Sequence, residues 1–104
     1  MKPDAVSGQL ESLILATVAE SPAHGYAIVQ QLKQRSGGAF DLAEGTVYPA
    51  LHRLEHEGLL SSSWSVETGR RRRVYQLTRA GRSTLGERRR EWGRFAQAVE
   101  AVLE

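Results

Sequence analysis

The chain contains no cysteine, so neither a disulfide framework nor a thiolate metal site can be built from it. No apolar run approaches the roughly 18 residues of a membrane-spanning helix. Met1 to Gln9 lacks the basic start and apolar core of an export signal, and the expectation is a cytoplasmic protein without a membrane segment. Catalytic vocabulary is equally thin. No nucleophile paired with a base, no glycine-rich phosphate loop and no carboxylate pair stands out. His52 and His56 are four residues apart, a helical spacing able to hold a metal, yet Arg53 follows His52 where the HExxH pattern requires an acid. No metal, cofactor or enzymatic activity is expected.

What remains is a short, arginine-rich chain. Its 104 residues imply one domain with a modest core, for which dimerisation would be a useful source of stability. The net charge of +2 is unevenly distributed. Residues 1–52 carry three basic and five acidic side chains, whereas residues 53–104 carry eleven and seven. Ten arginines fall within residues 70–94, against only Glu87 and Glu91. Such a local excess suggests a polyanionic partner; a solvated helix face and a solubilising loop would give the same composition.

Periodicity predicts three helices, then a hairpin, then a long helix. Leu10, Leu13, Ile14, Thr17 and Val18 form one face of a helix over Leu10–Ala19, stopped at Ser21-Pro22. A second helix spans His24–Ser36, with Tyr26, Ile28, Val29 and Leu32 inward and Gly37-Gly38 ending it. A third spans Gly45–Glu57, with Val47, Tyr48, Leu51 and Leu54 inward and Gly58 at its end. Thr46 or Glu44 can satisfy free amides at its start, and Pro49, in or just after the first turn, is expected to fix where it begins. Leu60–Val66 and Arg73–Leu77 read as strands around a turn at Glu67–Arg70. Thr78 is placed to cap a helix over residues 79–103. The expected fold is mainly α with a small β-hairpin: a winged helix-turn-helix over residues 1–77 and a C-terminal dimerisation helix over residues 78–104.

That last helix would be about 38 Å long, more than a three-helix core of this size can cover. Leu85, Trp92, Phe95, Ala96, Val99, Val102 and Leu103 recur close to a heptad seam, expected to bury itself against a second subunit. Folding back on its own domain is the alternative.

A major groove admits one α-helix, so a protruding third helix can present Thr46, Tyr48, Pro49, His52 and Arg53 to a duplex. Tyr48 either donates to a phosphate or packs in the core with its hydroxyl at the surface. The hairpin tip carries Arg70, Arg71, Arg72 and Arg73, whose side chains alternate in direction, so about two can face a phosphate backbone together. Trp64, in the first strand, is expected to pack.

The string Gly45-Thr46-Val47-Tyr48-Pro49-Ala50-Leu51, followed by Arg53-Leu54-Glu55 and Gly58-Leu59, resembles the recognition helix of the PadR family of bacterial transcriptional regulators. His24-Gly25-Tyr26 is similar to the family's second-helix motif. Gly69-Arg70, Arg72 and Tyr75 to Gly81 are similar to its wing and the start of its final helix. The resemblance covers about residues 9–92 and points to the compact branch with a single C-terminal helix. Many relatives carry proline and an aromatic where this chain has Arg71 and Val74, which implies a more basic, more mobile wing. The resemblance implies a homodimeric repressor of its own or a neighbouring gene, bound to a palindromic operator on double-stranded DNA. In some members a small aromatic effector releases the DNA. Trp92 lies on the seam, where a dyad would bring two indoles together; it is either a plain interface residue or half of a sandwich for a flat ligand. A winged-helix protein-interaction module and a sensor that mainly captures aromatic compounds are the competing readings.

Overall fold

The computed structural model describes residues 3–67 and 69–104, with side chains from residue 9 onward. The elements run α1 (Pro3–Glu20), β1 (Ala23–His24), α2 (Gly25–Arg35), α3 (Glu44–His56), β2 (Leu60–Glu67), β3 (Arg70–Leu77) and α4 (Arg79–Leu103). The three strands form one antiparallel sheet in the order β1-β3-β2. This is the expected winged helix.

α1 packs against α2, α3 and α4, so its apolar residues centre the core. Leu10, Ile14, Leu15 and Val18 are buried there with Ile28 and Leu32 of α2, Val47, Ala50, Leu51 and Leu54 of α3, and Leu60, Tyr75 and Leu77 of the sheet. Thr17 is buried too, and its hydroxyl donates to the Leu13 carbonyl at 2.8 Å, so no polar atom is stranded. α1 begins at Pro3, ahead of its apolar repeat, at a first helical position where the missing N–H of proline costs nothing.

Backbone bonds define the end of α3. Leu59 N–H reaches the Leu54 carbonyl at 2.9 Å and Gly58 N–H the Glu55 carbonyl at 3.0 Å, a double closure that needs the left-handed backbone of Gly58, φ 79°. Its start differs from expectation. Ala43 is the N-cap with no side-chain cap bond, and its carbonyl accepts from Thr46 and Val47 N–H at 3.0 and 3.1 Å. Pro49 is therefore the sixth helical residue rather than the signal that opens the helix. It removes the bond to the Gly45 carbonyl, but both residues are exposed, so little is lost by leaving that carbonyl to solvent.

Other expectations change as well. Ala23–His24 pairs with Val74–Tyr75 as a third strand, which two residues of sequence cannot announce. β3 begins at Arg70, three residues early, because Glu67 and Arg70 are already paired across the turn. Tyr26 points outward, 50% exposed, leaving Ile28 and Leu32 as the buried residues of α2's apolar face.

Candidate nucleic-acid interface

Val47, Ala50, Leu51 and Leu54 hold one face of α3 in the core. The opposite face presents Thr46, Pro49, His52, Arg53 and His56 to solvent. Tyr48 is half-buried against the start of α2: a β-carbon built on Gly25 would fall 2.4 Å from Tyr48 Cε1. Burial, and then the nearby Glu44 carboxylate, raise the Tyr48 pKa above the ordinary 10.0, which keeps the phenol protonated and able to donate. Packing is thus its main role here, and the ring fixes α3 against α2. Arg53 is less available than the sequence suggests. Its Nε lies 3.5 Å from Glu11 on α1, and Arg88 of α4 approaches the same carboxylate at 3.8 Å.

The four arginines of β3 divide by strand alternation. Arg71 and Arg73 share the sheet face of Tyr75 and Leu77, while Arg70 and Arg72 share the other. Arg72 Nη1 is 2.8 Å from His24 Nε2, so one arginine is drawn back towards the N-cap of α2. Arg73 Nε donates to Ser62 Oγ at 2.7 Å, and its Nη2 lies 3.6 Å from Glu55 on α3. Ser62 also donates to Glu55, which ties the root of the wing to the C-terminal half of α3. Arg70 and Arg71 are exposed near the tip. Trp64, expected to pack, is 55% exposed, because its position on β2 lies beyond the last core residues of the sheet. The guanidinium carbons of Arg71 and Arg73 stand 4.6 and 5.3 Å from its ring centroid.

α4 divides in two. Leu85 is 4% exposed in the protomer's own core, so the first residue of the expected seam is already used there and is not a free interface residue. Beyond it no apolar side chain of α4 is buried: Trp92 is 53% exposed, Phe95 59% and Val102 84%, with Val99 and Leu103 also exposed and Ala96 half-exposed. This half does not fold back on its own domain. Trp92 and Phe95 touch with ring centroids 5.7 Å apart and border a cleft of about 520 Å3 between α1 and α4, lined also by Ser12, Thr84 and Arg88. No group of three His, Cys, Asp or Glu side chains converges among the described residues, and among them no helix is long and apolar enough to cross a membrane.

A model of the transcriptional regulator PadR-like family matches residues 14–87. Transcriptional regulator Rv3488 of Mycobacterium tuberculosis is 43% identical over 86 residues, which span 83% of this chain and 78% of that protein. A transcriptional regulator from Clostridium thermocellum superposes with a TM-score of 0.90 at 25% identity, over 100% of this chain and 99% of that one. A PadR family transcription regulator from Clostridium difficile R20291 gives 0.84 at 32% identity, over 92% and 99%. The family match runs from the middle of α1 through α3 and the β2-β3 hairpin into α4, so this chain belongs to the PadR-like family of transcriptional regulators.

Proposed function

We propose that the protein is a homodimeric, sequence-specific repressor acting on its own or a neighbouring gene. Regulators of this family bind DNA and are not enzymes. The observation that carries the reading is a pair of surface features: α3 anchored by its buried face with Thr46, Pro49, His52 and Arg53 outward, and a hairpin whose second strand opens on four arginines, tied to α3 through Arg73, Ser62 and Glu55. α3 reads the major groove, with Thr46 and the Tyr48 hydroxyl among its contacts. Of the four arginines, the pair that shares a sheet face, Arg71 and Arg73, neutralises phosphates, Arg73 once released from Glu55.

In this reading residues 1–77 bind DNA, and within residues 78–104 the outer half of α4, from Trp92 on, joins two copies. The occupant of the apolar stripe on α4 is a second copy, because the stripe runs along the last turns of a 25-residue helix at near-heptad spacing. Two recognition helices would then read half-sites about 10 bp apart. A planar aromatic effector fits the reading because Trp92 and Phe95 border a cleft beside that stripe.

A gel shift with duplex from upstream of the protein's own gene, with and without excess unrelated competitor, tests the proposal. A complex that survives competitor supports it; a complex lost equally to any duplex removes sequence specificity. Tyr48→Phe keeps the ring on Gly25 and removes only the hydroxyl, so it should weaken operator binding about three- to tenfold while leaving folding intact.

A further inference from the structure

We propose that Trp64 is a positioning residue for Arg71, holding its guanidinium ready for a phosphate of duplex DNA. The inference rests on the reading above and assigns a part to a residue outside the expected interface. Register places Trp64 opposite Arg73 and Val66 opposite Arg71, all on the sheet face that carries Leu60, Tyr75 and Leu77. The core ends at Tyr75, and Trp64 has no apolar layer beneath it; a tryptophan more than half exposed on a hairpin contributes little to the core. What it does contact is arginine, Arg71 at 4.6 Å and Arg73 at 5.3 Å.

The two arginines are not equivalent. Arg73 is held by Ser62 and faces the Glu55 carboxylate, so part of its charge is already compensated. Arg71 is exposed near the tip, and its guanidinium carbon stands over the indole. An indole face offers a guanidinium no strong hydrogen-bond acceptor, so the N–H groups of Arg71 remain available to grip a phosphate bidentately. Arginine loses much rotamer freedom when fixed. An Arg71 already seated on Trp64 has lost part of that freedom before DNA arrives, so association costs less.

Because Trp64 is exposed, its variants should fold, and thermal unfolding checks this. Binding to a 30-bp duplex of mixed sequence is measured at several salt concentrations, which needs no knowledge of the operator since phosphate contacts are sequence-independent. Trp64→Leu, apolar but without a π face, should weaken binding about two- to fivefold, and Trp64→Phe should recover part of that loss. Arg71→Ala should reduce the salt slope by about 1. The double variant Trp64→Leu with Arg71→Ala should bind no worse than Arg71→Ala. In the free protein, NMR relaxation should show Arg71 Nε becoming more mobile in Trp64→Leu, with Arg70 unchanged. Additive losses in the double variant, or an Arg71 Nε indifferent to Trp64, overturn this inference alone. A wild-type protein that binds no duplex overturns the DNA reading and this inference with it.

Discussion

Gly25 and Tyr48 meet where α2 and α3 are joined, and the contact explains why the first residue of α2 has no side chain. Gly25→Ala would place a methyl 2.4 Å from Tyr48 Cε1, so the ring must leave its seat. Overpacking of this kind costs about 1–3 kcal/mol. Because Tyr48 sits on α3, operator affinity should fall together with the melting temperature, and both can be measured on one preparation. His24, one residue earlier, has a different constraint. Its Nδ1 accepts from Ala27 N–H at 3.3 Å, and its Nε2 lies 2.8 Å from Arg72 Nη1. Both neighbours are donors, and a neutral imidazole has one nitrogen with a free lone pair, so each tautomer serves only one of them. The cap bond to Ala27 N–H and the contact with Arg72 therefore compete for one acceptor. His24→Ala should cost about 1 kcal/mol in urea unfolding. His24→Asn, whose side chain can still cap, should restore most of that stability.

At the level of elements, the helices were legible because apolar residues recur at helical intervals, and Thr78 was legible as a cap. Its Oγ1 accepts from Gly81 N–H at 3.0 Å and also donates to the Gly58 carbonyl at 2.6 Å, so one hydroxyl starts α4 and ties it to the end of α3. Thr78→Ala should lose about 1–2 kcal/mol, and Thr78→Ser should regain most of it, as thermal melts of the three proteins would show. The sheet was harder to read. β1 is two residues long and gains its strand character only from pairing with Val74 and Tyr75. The arginines of β3 hid its first half, since strand propensity says nothing about a polar run held by its neighbour. Trp64 was expected to pack; it does share the face of Leu60, but alternation along a strand cannot say how far the core extends along that face. The candidate site divides in the same way. Exposure of Thr46, Pro49 and His52 followed from the helical face, while the diversion of Arg53 to Glu11 and Arg72 to His24 depends on residues distant in sequence.

For the molecule as a whole, two conditions set stability and assembly. Burial, and then the Glu55 carboxylate, raise the Tyr75 pKa above 10.0, with Arg73 opposing. The unfolded chain then ionises this phenol first. Its contribution is complete below pH 10 and is lost as pH rises through the higher folded value. Tyr75→Phe should accordingly flatten the alkaline limb of a stability-against-pH curve. In the proposed dimer, assembly rests on the outer half of α4, where Phe95 and Val99 stand at the middle of an exposed stripe bounded by Trp92 and Leu103. They face solvent in one copy, so Phe95→Asp with Val99→Asp leaves the core around Leu85 untouched, and the monomer should melt as a folded domain. In the proposed dimer the dyad would bury those carboxylates near one another without partners, a cost of several kcal/mol. Each 1.4 kcal/mol is a factor of ten, so the dimer dissociation constant should rise at least about 100-fold. Sedimentation at micromolar concentration should then show a folded monomer. Its operator affinity should drop steeply, because each half-site is read alone, while weak binding to unrelated duplex changes little. A doubly substituted protein that still sediments as a dimer would place the contact elsewhere, on α1 or the N-terminal half of α4.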